Sequence, residues 1–402
     1  MTFDFDAPID RRGTHSLKWD EAGDALPMWV ADMDFTTAPA VRDALSQRVA
    51  HGVFGYSTIP DEWAHAYVDW WGSRHGLAID SDSLIFTTGV IPAISSMVRK
   101  LTTPAENVLI MTPVYNIFFN SILNNGRNAL ESALTYVRDG AQGHYAINWE
   151  DLAAKLADPQ TTLMILCNPH NPTGMIWDRE TLARIGALCY EHHVTVISDE
   201  IHCDLTDPGV SYVPFAAVNE TCAAISATCL APTKAFNIAG LHTAAVMVPD
   251  PTLRHKVWRG LNTDEVAEPN AFAIDAAIAA FTQGGPWLNE LRAYLAGNKH
   301  EAARMINEYN VEPSTDRQLS LVEGPATYLL WLDCSAFTGD DHRFADTNSL
   351  CEWLRREHKV MFSPGAQFGG NGRDFLRINV ACPRRTMREG FERLFAGLRE
   401  LQ

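Results

Sequence analysis

The sequence predicts an α/β protein: a large domain built on a mostly parallel sheet, followed by a smaller α+β domain. Between residues 84 and 250, short apolar runs alternate with segments of helical periodicity, the pattern of strand and helix units that stack strands in one direction. From Gly284-Gly285-Pro286 onward the character changes to a long helical stretch carrying Trp287, Leu291, Leu295 and Met305, with turns at Pro313 and at Gly324-Pro325. The length, 402 residues, exceeds what one ordinary compact unit holds and suits a large domain plus a smaller one.

The first fifty residues lack the alternating pattern and are expected to form an N-terminal arm, residues 1–50, that packs with part of the small domain. The large domain is expected over 51–285 and the small C-terminal domain over 286–402. The strand candidates are Asn107 to Met111, Thr162 to Cys167, Val194 to Ser198, Ala223 to Thr228 and Ala244 to Val248. Each ends in polar or turn residues, and in such sheets ligands gather beyond the carboxyl ends of the strands. The run Phe86-Thr-Thr-Gly89-Val90 joins a strand to a helix whose Ile91, Ile94, Val98 and Leu101 share one face. Asp178 to His192 reads as a crossover helix, with Asp178 capping its first turn and Leu182, Ile185, Leu188 and Cys189 at helical spacing.

Composition narrows the function. Lys and Arg total 32 against 49 Asp and Glu, a formal net charge of -17, and no basic stretch offers itself to a phosphate backbone, so no nucleic-acid partner is expected. No apolar run reaches the roughly 18 residues needed to span a bilayer, so no membrane association is expected either, and the chain reads as cytoplasmic. The eight cysteines are scattered, with no C-x-x-C pair and no Cys/His cluster at metal-ligand spacing. They read as small buried hydrophobes of a reducing compartment, and no metal is expected.

Four segments can carry chemistry. Thr228-Cys-Leu-Ala-Pro-Thr-Lys234-Ala-Phe-Asn-Ile-Ala-Gly240 follows a strand and sets one lysine in a tight exit loop among small and apolar residues, where desolvation lowers the amine pKa and frees it for Schiff-base chemistry. Asp199, in Val194-Thr-Val-Ile-Ser-Asp-Glu-Ile-His202, ends a strand and could pair with a pyridinium nitrogen, although an aspartate there is as readily a helix cap. Cys167-Asn-Pro-His-Asn171-Pro-Thr-Gly174 is stiffened by two Asn-Pro steps and can present the Asn171 amide with little entropy loss. The free amides at the Gly89 helix start suit a phosphate. Taken singly, each feature also has an ordinary structural explanation.

In combination, order and spacing are specific. Gly-led helix, Asn-Pro loop, strand aspartate and loop lysine follow one another as in the pyridoxal 5'-phosphate (PLP) enzymes of fold type I, the aspartate-aminotransferase-like class, which this chain resembles over nearly its whole length. Further runs resemble the cystathionine beta-lyase or C-S lyase branch: Ile9-Asp-Arg-Arg-Gly-Thr-His-Ser-Leu-Lys-Trp-Asp20, Pro27-Met-Trp-Val-Ala-Asp-Met-Asp-Phe35, Phe236-Asn-Ile-Ala-Gly-Leu241 and Arg377-Ile-Asn-Val-Ala-Cys-Pro-Arg384. The resemblance implies a seven-stranded sheet in the large domain and a homodimer whose active site is shared across the interface.

It also implies roles. Lys234 would be the Schiff-base lysine and proton carrier, and Asp199 the partner of the ring nitrogen. Asn171 would bond the cofactor's 3'-oxygen, Tyr115 would stack on the ring, and Gly89 and Val90 with Thr233 would hold the phosphate. Tyr56, in Phe-Gly-Tyr-Ser, would reach the neighbouring subunit's phosphate. Arg377 would clamp the substrate carboxylate, its planar fork suiting bidentate binding, with Asn171 and the backbone at Val30 and Ala31 beside it. Two positions depart from the pattern. Ala231 stands where many relatives have a serine, which puts one phosphate hydroxyl in doubt, and His202 replaces a tyrosine common in aminotransferases but could still reach the 3'-oxygen.

The activity implied is β-elimination from an L-amino acid bearing a β-thioether, such as L-cystathionine, giving a thiol, pyruvate and ammonia. An aminotransferase shares every step through removal of the Cα proton and is the alternative. A non-catalytic regulatory protein on the same fold is a second alternative, against which the joint presence of Lys234, Asp199, Asn171 and Arg377 argues.

Overall fold

The computed structural model describes every residue except Met1 and Ser314. Its central sheet has seven strands: β1 (Leu84–Thr87), β2 (Asn107–Thr112), β3 (Asn128–Ala133), β4 (Thr161–Cys167), β5 (Thr195–Asp199), β6 (Ser226–Leu230) and β7 (Ala244–Met247). Their spatial order is β1-β7-β6-β5-β4-β2-β3. Only β7 runs against its neighbours, pairing antiparallel with β1 and β6. All the other strands therefore point one way, and the chain leaves β1, β2, β4, β5 and β6 at the same edge of the sheet.

Apart from the edge strand β3, these strands are largely apolar and buried because both faces of the sheet are covered. Alternate residues divide between two cores. Val108, Ile110, Leu163, Ile165 and Ile197 pack with Ile94 and Val98 of the helix Val90–Leu101. Leu109, Met111, Met164, Leu166 and Val196 pack on the opposite face with Leu182 and Ile185 of the helix Arg179–Glu191. Asp178 caps that second helix, its side chain accepting from the Thr181 amide at 2.7 Å. One strand begins later than its sequence suggests. Ala223 and Ala224 belong to a short helix, Glu220–Ala224, because Asn219 caps it through the Cys222 amide at 2.8 Å, and β6 starts only at Ser226.

A second sheet of six strands is ordered Ser363–Pro364, Phe375–Asn379, Leu329–Asp333, Ser320–Val322, Gln142–Ala146 and Thr135–Asp139. Its last two strands form a hairpin that falls inside the range expected for the large domain yet hydrogen-bonds to the C-terminal sheet, Leu321 lying opposite Gln142. The long helix Gly285–Asn310 leads into this part of the chain. The N-terminal stretch serves both parts. Leu26–Pro27 pairs with Val360–Met361, whereas the helix Pro39–His51 packs on the helix Ala273–Gln283. Among the described residues no helix is long and apolar enough to cross a membrane. All eight cysteines are buried and free.

Candidate active site

Because the strands share a direction, their exit loops meet, and they enclose a cavity of about 180 Å³ at the carboxyl edge of the sheet. It is lined by Gly89 and Val90 after β1, Tyr115 after β2, Asn171 after β4, Asp199 and His202 at and after β5, Thr233 and Lys234 after β6, and Ala31 from the N-terminal stretch. Nine of the residues singled out in the sequence are thus brought together. Three others stand apart. Arg377 is set behind Asn171, the Val30 carbonyl accepts from Asn379 Nδ2 at 2.6 Å, and Tyr56 projects, fully exposed, from the segment between the helices Pro39–His51 and Asp61–His75.

Asp199 ends β5 opposite Cys167 on one side and Cys229 on the other, so its carboxylate is held in the sheet's interior layer. It caps no helix: its Oδ1 accepts from the Ile201 amide at 3.2 Å in a local turn. Burial pushes its pKa up to about 6, against the pull of that amide and of the Lys234 charge. Such a group favours a nearby cation strongly, since a cation offsets the desolvation of the carboxylate that one amide hydrogen bond leaves uncompensated.

Lys234 sits in a loop tightened by two backbone bonds, Phe236 N to Pro232 O at 2.9 Å and Ile238 N to Thr233 O at 3.0 Å. Its Nζ donates to the Ala31 carbonyl at 2.6 Å. Burial, reinforced by the Arg377 charge, pushes its pKa down to about 8, opposed by Asp32 and Asp199. The same burial, with Lys234 and Arg377, holds His202 down to about 3, so its imidazole is neutral at ordinary pH. Its Nδ1 is buried without a hydrogen-bond partner.

Arg377 lies on the strand Phe375–Asn379, next to the edge of the second sheet, and is 5% exposed. Its Nη1 donates to Asn171 Oδ1 at 3.2 Å, and its Nη2 to the Trp29 carbonyl at 3.1 Å and Ser363 Oγ at 3.4 Å. The guanidinium lies over the Phe368 ring at 4.6 Å. Its Nε has no partner, and among the described residues no carboxylate pairs with it. A buried cation without an acid partner is costly, and an incoming carboxylate would relieve that cost. Tyr115 packs edge-on against Phe118 at 5.6 Å, and burial raises its hydroxyl pKa.

The sequence did not single out Trp29, whose carbonyl orients Arg377, nor Thr88, His242 and Thr243, which line the cavity near Gly89. For Thr88 the signal was its place beside Gly89. For Trp29 it was its place beside Val30, whereas His242 is joined to the site only by folding. Ala231 is packed in the apolar core over the helix Val90–Leu101 and does not line the cavity. Spacing pointed to no metal ligands, but folding gathers His75, Cys203 and Asp204 so that one donor atom of each lies within 4.8 Å of the others. The Asp204 carboxylate there is already engaged by His75 Nε2 at 2.9 Å and by Arg74 Nε at 3.6 Å.

Comparison with known proteins adds three findings. The family model described as aminotransferase class I and II matches residues 26–394. The chain is 42% identical to cystathionine beta-lyase PatB of Bacillus subtilis (strain 168), covering 98% of this chain and 99% of that one, and 35% identical to protein MalY of Escherichia coli (strain K12), covering both in full. It superimposes on the crystal structure of cystalysin from Treponema denticola, which contains pyridoxal 5'-phosphate, with a TM-score of 0.91, 29% identity and complete coverage of both chains.

The residues present fit that cofactor. A carboxylate that burial leaves in want of a cation, a partly deprotonated lysine, an unpaired imidazole nitrogen and the open first turn of a twelve-residue helix line one cavity. They match, in turn, a protonated ring nitrogen, an aldehyde, a phenolic oxygen and a phosphate.

Proposed function

The chain belongs to the aminotransferase class I and II family, and on that premise we propose that it is a PLP-dependent carbon-sulfur β-lyase. It cleaves L-cystathionine or related S-substituted L-cysteines to a thiol, pyruvate and ammonia. The observation that carries the reading is the placement of Lys234, Asp199 and a buried Arg377, with no carboxylate partner among the described residues, about Asn171, in a chain similar over its full length to a cystathionine beta-lyase.

Asp199 would hold the cofactor's ring nitrogen, Asn171 and His202 its 3'-oxygen, Tyr115 the ring face, the Gly89 and Val90 amides with Thr233 its phosphate, and Lys234 its aldehyde group. When bound, the cofactor supplies an electron sink for the pair left at Cα once its proton is gone. Arg377 receives the substrate's α-carboxylate on its guanidinium, and the Asn171 amide and Trp29 carbonyl fix the plane of that fork. Lys234 would be the base: its Nζ donates to Ala31 O, and in the neutral amine that leaves the lone pair free to take the Cα proton. The Cβ–S bond then breaks, and sulfur leaves with the bonding pair as thiolate and takes up a proton. Water completes the balance, since the three-carbon remainder hydrolyses to pyruvate and ammonium. The resemblance assigns Tyr56 to the phosphate site of a second copy in a homodimer, and its full exposure on its own chain supports that reading.

The test is incubation of purified protein with L-cystathionine and no keto acid. Pyruvate and homocysteine in equal amounts are expected. Their absence, with amino transfer that depends on an added keto acid, would make the protein an aminotransferase.

A further inference from the structure

Two of the sequence runs clasp each other in the fold: Ile9 to Asp20, which has no part in the chemistry above, and Pro27 to Phe35, which supplies the Trp29 and Ala31 carbonyls to it. Lys18 is fully buried, its Nζ donating to Asp34 Oδ2 at 2.7 Å and to the Asp32 carbonyl at 3.0 Å. The other oxygen of Asp34, itself 3% exposed, accepts from Arg11 Nη1 and from the Trp19 indole, each at 2.8 Å. Arg11 also grips Asp32 Oδ2 through Nη2 at 2.7 Å and the Met33 carbonyl through Nη1 at 2.9 Å. The second run answers with one bond, the Trp29 indole donating to the Lys18 carbonyl at 3.0 Å.

Between these gripped points the backbone turns two carbonyls toward the site. Trp29 O accepts from Arg377 and Ala31 O from Lys234, while Asn379 Nδ2 ties the intervening Val30 and Asp32 carbonyls at 2.6 and 2.7 Å. The two groups proposed to hold the substrate, one at its carboxylate and one at Cα, thus take their orientation from a single stretch of three residues. A fully buried ion pair is weak evidence for stability, since well-packed apolar residues often do as well. Its best attested use is to fix one register among several.

We propose that Lys18 and Asp34, with Arg11, are positioning residues for substrate binding: their buried ion pair sets the register of residues 29–34 and so aims Arg377 at the amino-acid carboxylate. This rests on the β-lyase reading of the same site. A shift of about 1 Å in a positioning element can cost on the order of a hundredfold in rate, and the Trp29 carbonyl is such an element.

The test uses the holoenzyme and the charge-balanced double variant Lys18→Met/Asp34→Asn, which keeps the volume of both side chains. The ligand is S,α-dimethyl-L-cysteine, which has no Cα proton to lose and no free thiol to add to the cofactor's aldehyde carbon, and its binding is followed by the change in cofactor absorption. The corresponding amine without the carboxylate is titrated in parallel. The expected result is a rise of about tenfold or more in the dissociation constant for the amino acid and in KM for L-cystathionine, with the amine's dissociation constant and kcat within about threefold of wild type. A lowered thermal midpoint with unchanged amino-acid binding, or equal losses for amino acid and amine, overturns the proposal. Should the double variant fail to fold, Trp29→Phe removes only the indole bond to Lys18. It is expected to weaken amino-acid binding about threefold without weakening the amine, and an unchanged ratio overturns the proposal. Wild-type protein that forms no pyruvate from L-cystathionine contradicts the lyase reading instead, so the two failures are distinct.

Discussion

Lys234 Nζ donates to the Ala31 carbonyl at 2.6 Å, joining residues 203 positions apart and leaving the amine buried, close to Arg377 and down at about 8. Because this value lies below the ordinary 10.5 of lysine, the neutral form grows as pH rises through about 8, and only that form attacks an aldehyde. Cofactor-free protein mixed with PLP should therefore develop its linked-cofactor absorption at a rate that climbs from pH 6 and levels off above about pH 9. At pH 6, two units below, about 1% of the amine is neutral. A rate independent of pH over this range would count against Lys234 as the attacking group. Lys234→Ala, reduced with borohydride, should show no covalent adduct by intact mass.

Asp199→Asn keeps the shape of the side chain and removes the charge that stabilises a protonated ring nitrogen. The protein should still bind PLP, with shifted absorption, while kcat for pyruvate formation falls by roughly 100- to 1000-fold, the usual loss when one electrostatic partner of a developing charge is removed. Full activity in this variant would exclude the assigned pairing.

Arg377→Lys keeps a positive charge but loses the fork that engages Asn171, Trp29 and Ser363 at once. A loss of about 3 kcal/mol is expected for a buried, hydrogen-bonded charge, or roughly a hundredfold in kcat/KM. The larger part should appear in KM, because the carboxylate is bound before and during reaction alike. Steady-state kinetics with L-cystathionine measures it.

Tyr56 lies on the surface of its own chain, so its contribution to a second copy's site can be tested by complementation. Tyr56→Ala and Lys234→Ala homodimers should each be nearly inactive. Unfolding and refolding them together should restore about a quarter of wild-type activity, since half the dimers are hybrids with one complete site. No recovery from the mixture would mean that Tyr56 acts within its own subunit or not at all.

The charged clasp of Lys18 and Asp34 shows where sequence reading stops. Both residues lie in runs that stood out by resemblance, but nothing in their spacing says that an ammonium sixteen residues before a carboxylate will meet it in a dry interior. The start of β6 was obscured for a local reason: Asn219 captured Ala223 and Ala224 into a helix, although their apolar character reads equally well as strand. The hairpin Thr135–Ala146 crosses to the second sheet because its partner, Ser320–Val322, lies some 175 residues away, and pairing over such distances leaves no trace in a local pattern.

By itself the sequence determined the alternation that builds a parallel sheet, and with it the loops that must converge at one edge. Lys234, Asp199, Asn171 and Gly89 were legible because each stands at or just past the end of a strand, where local chemistry and topology agree. Tertiary structure alone decided that Arg377, from another sheet, stands behind Asn171 with no acid among the described residues to neutralise it, and that Trp29 and Ala31 turn their carbonyls to Arg377 and Lys234. These contacts depend on how two sheets and an N-terminal strap pack against one another. Backbone carbonyls are present at every residue, so only the fold can choose which of them matter.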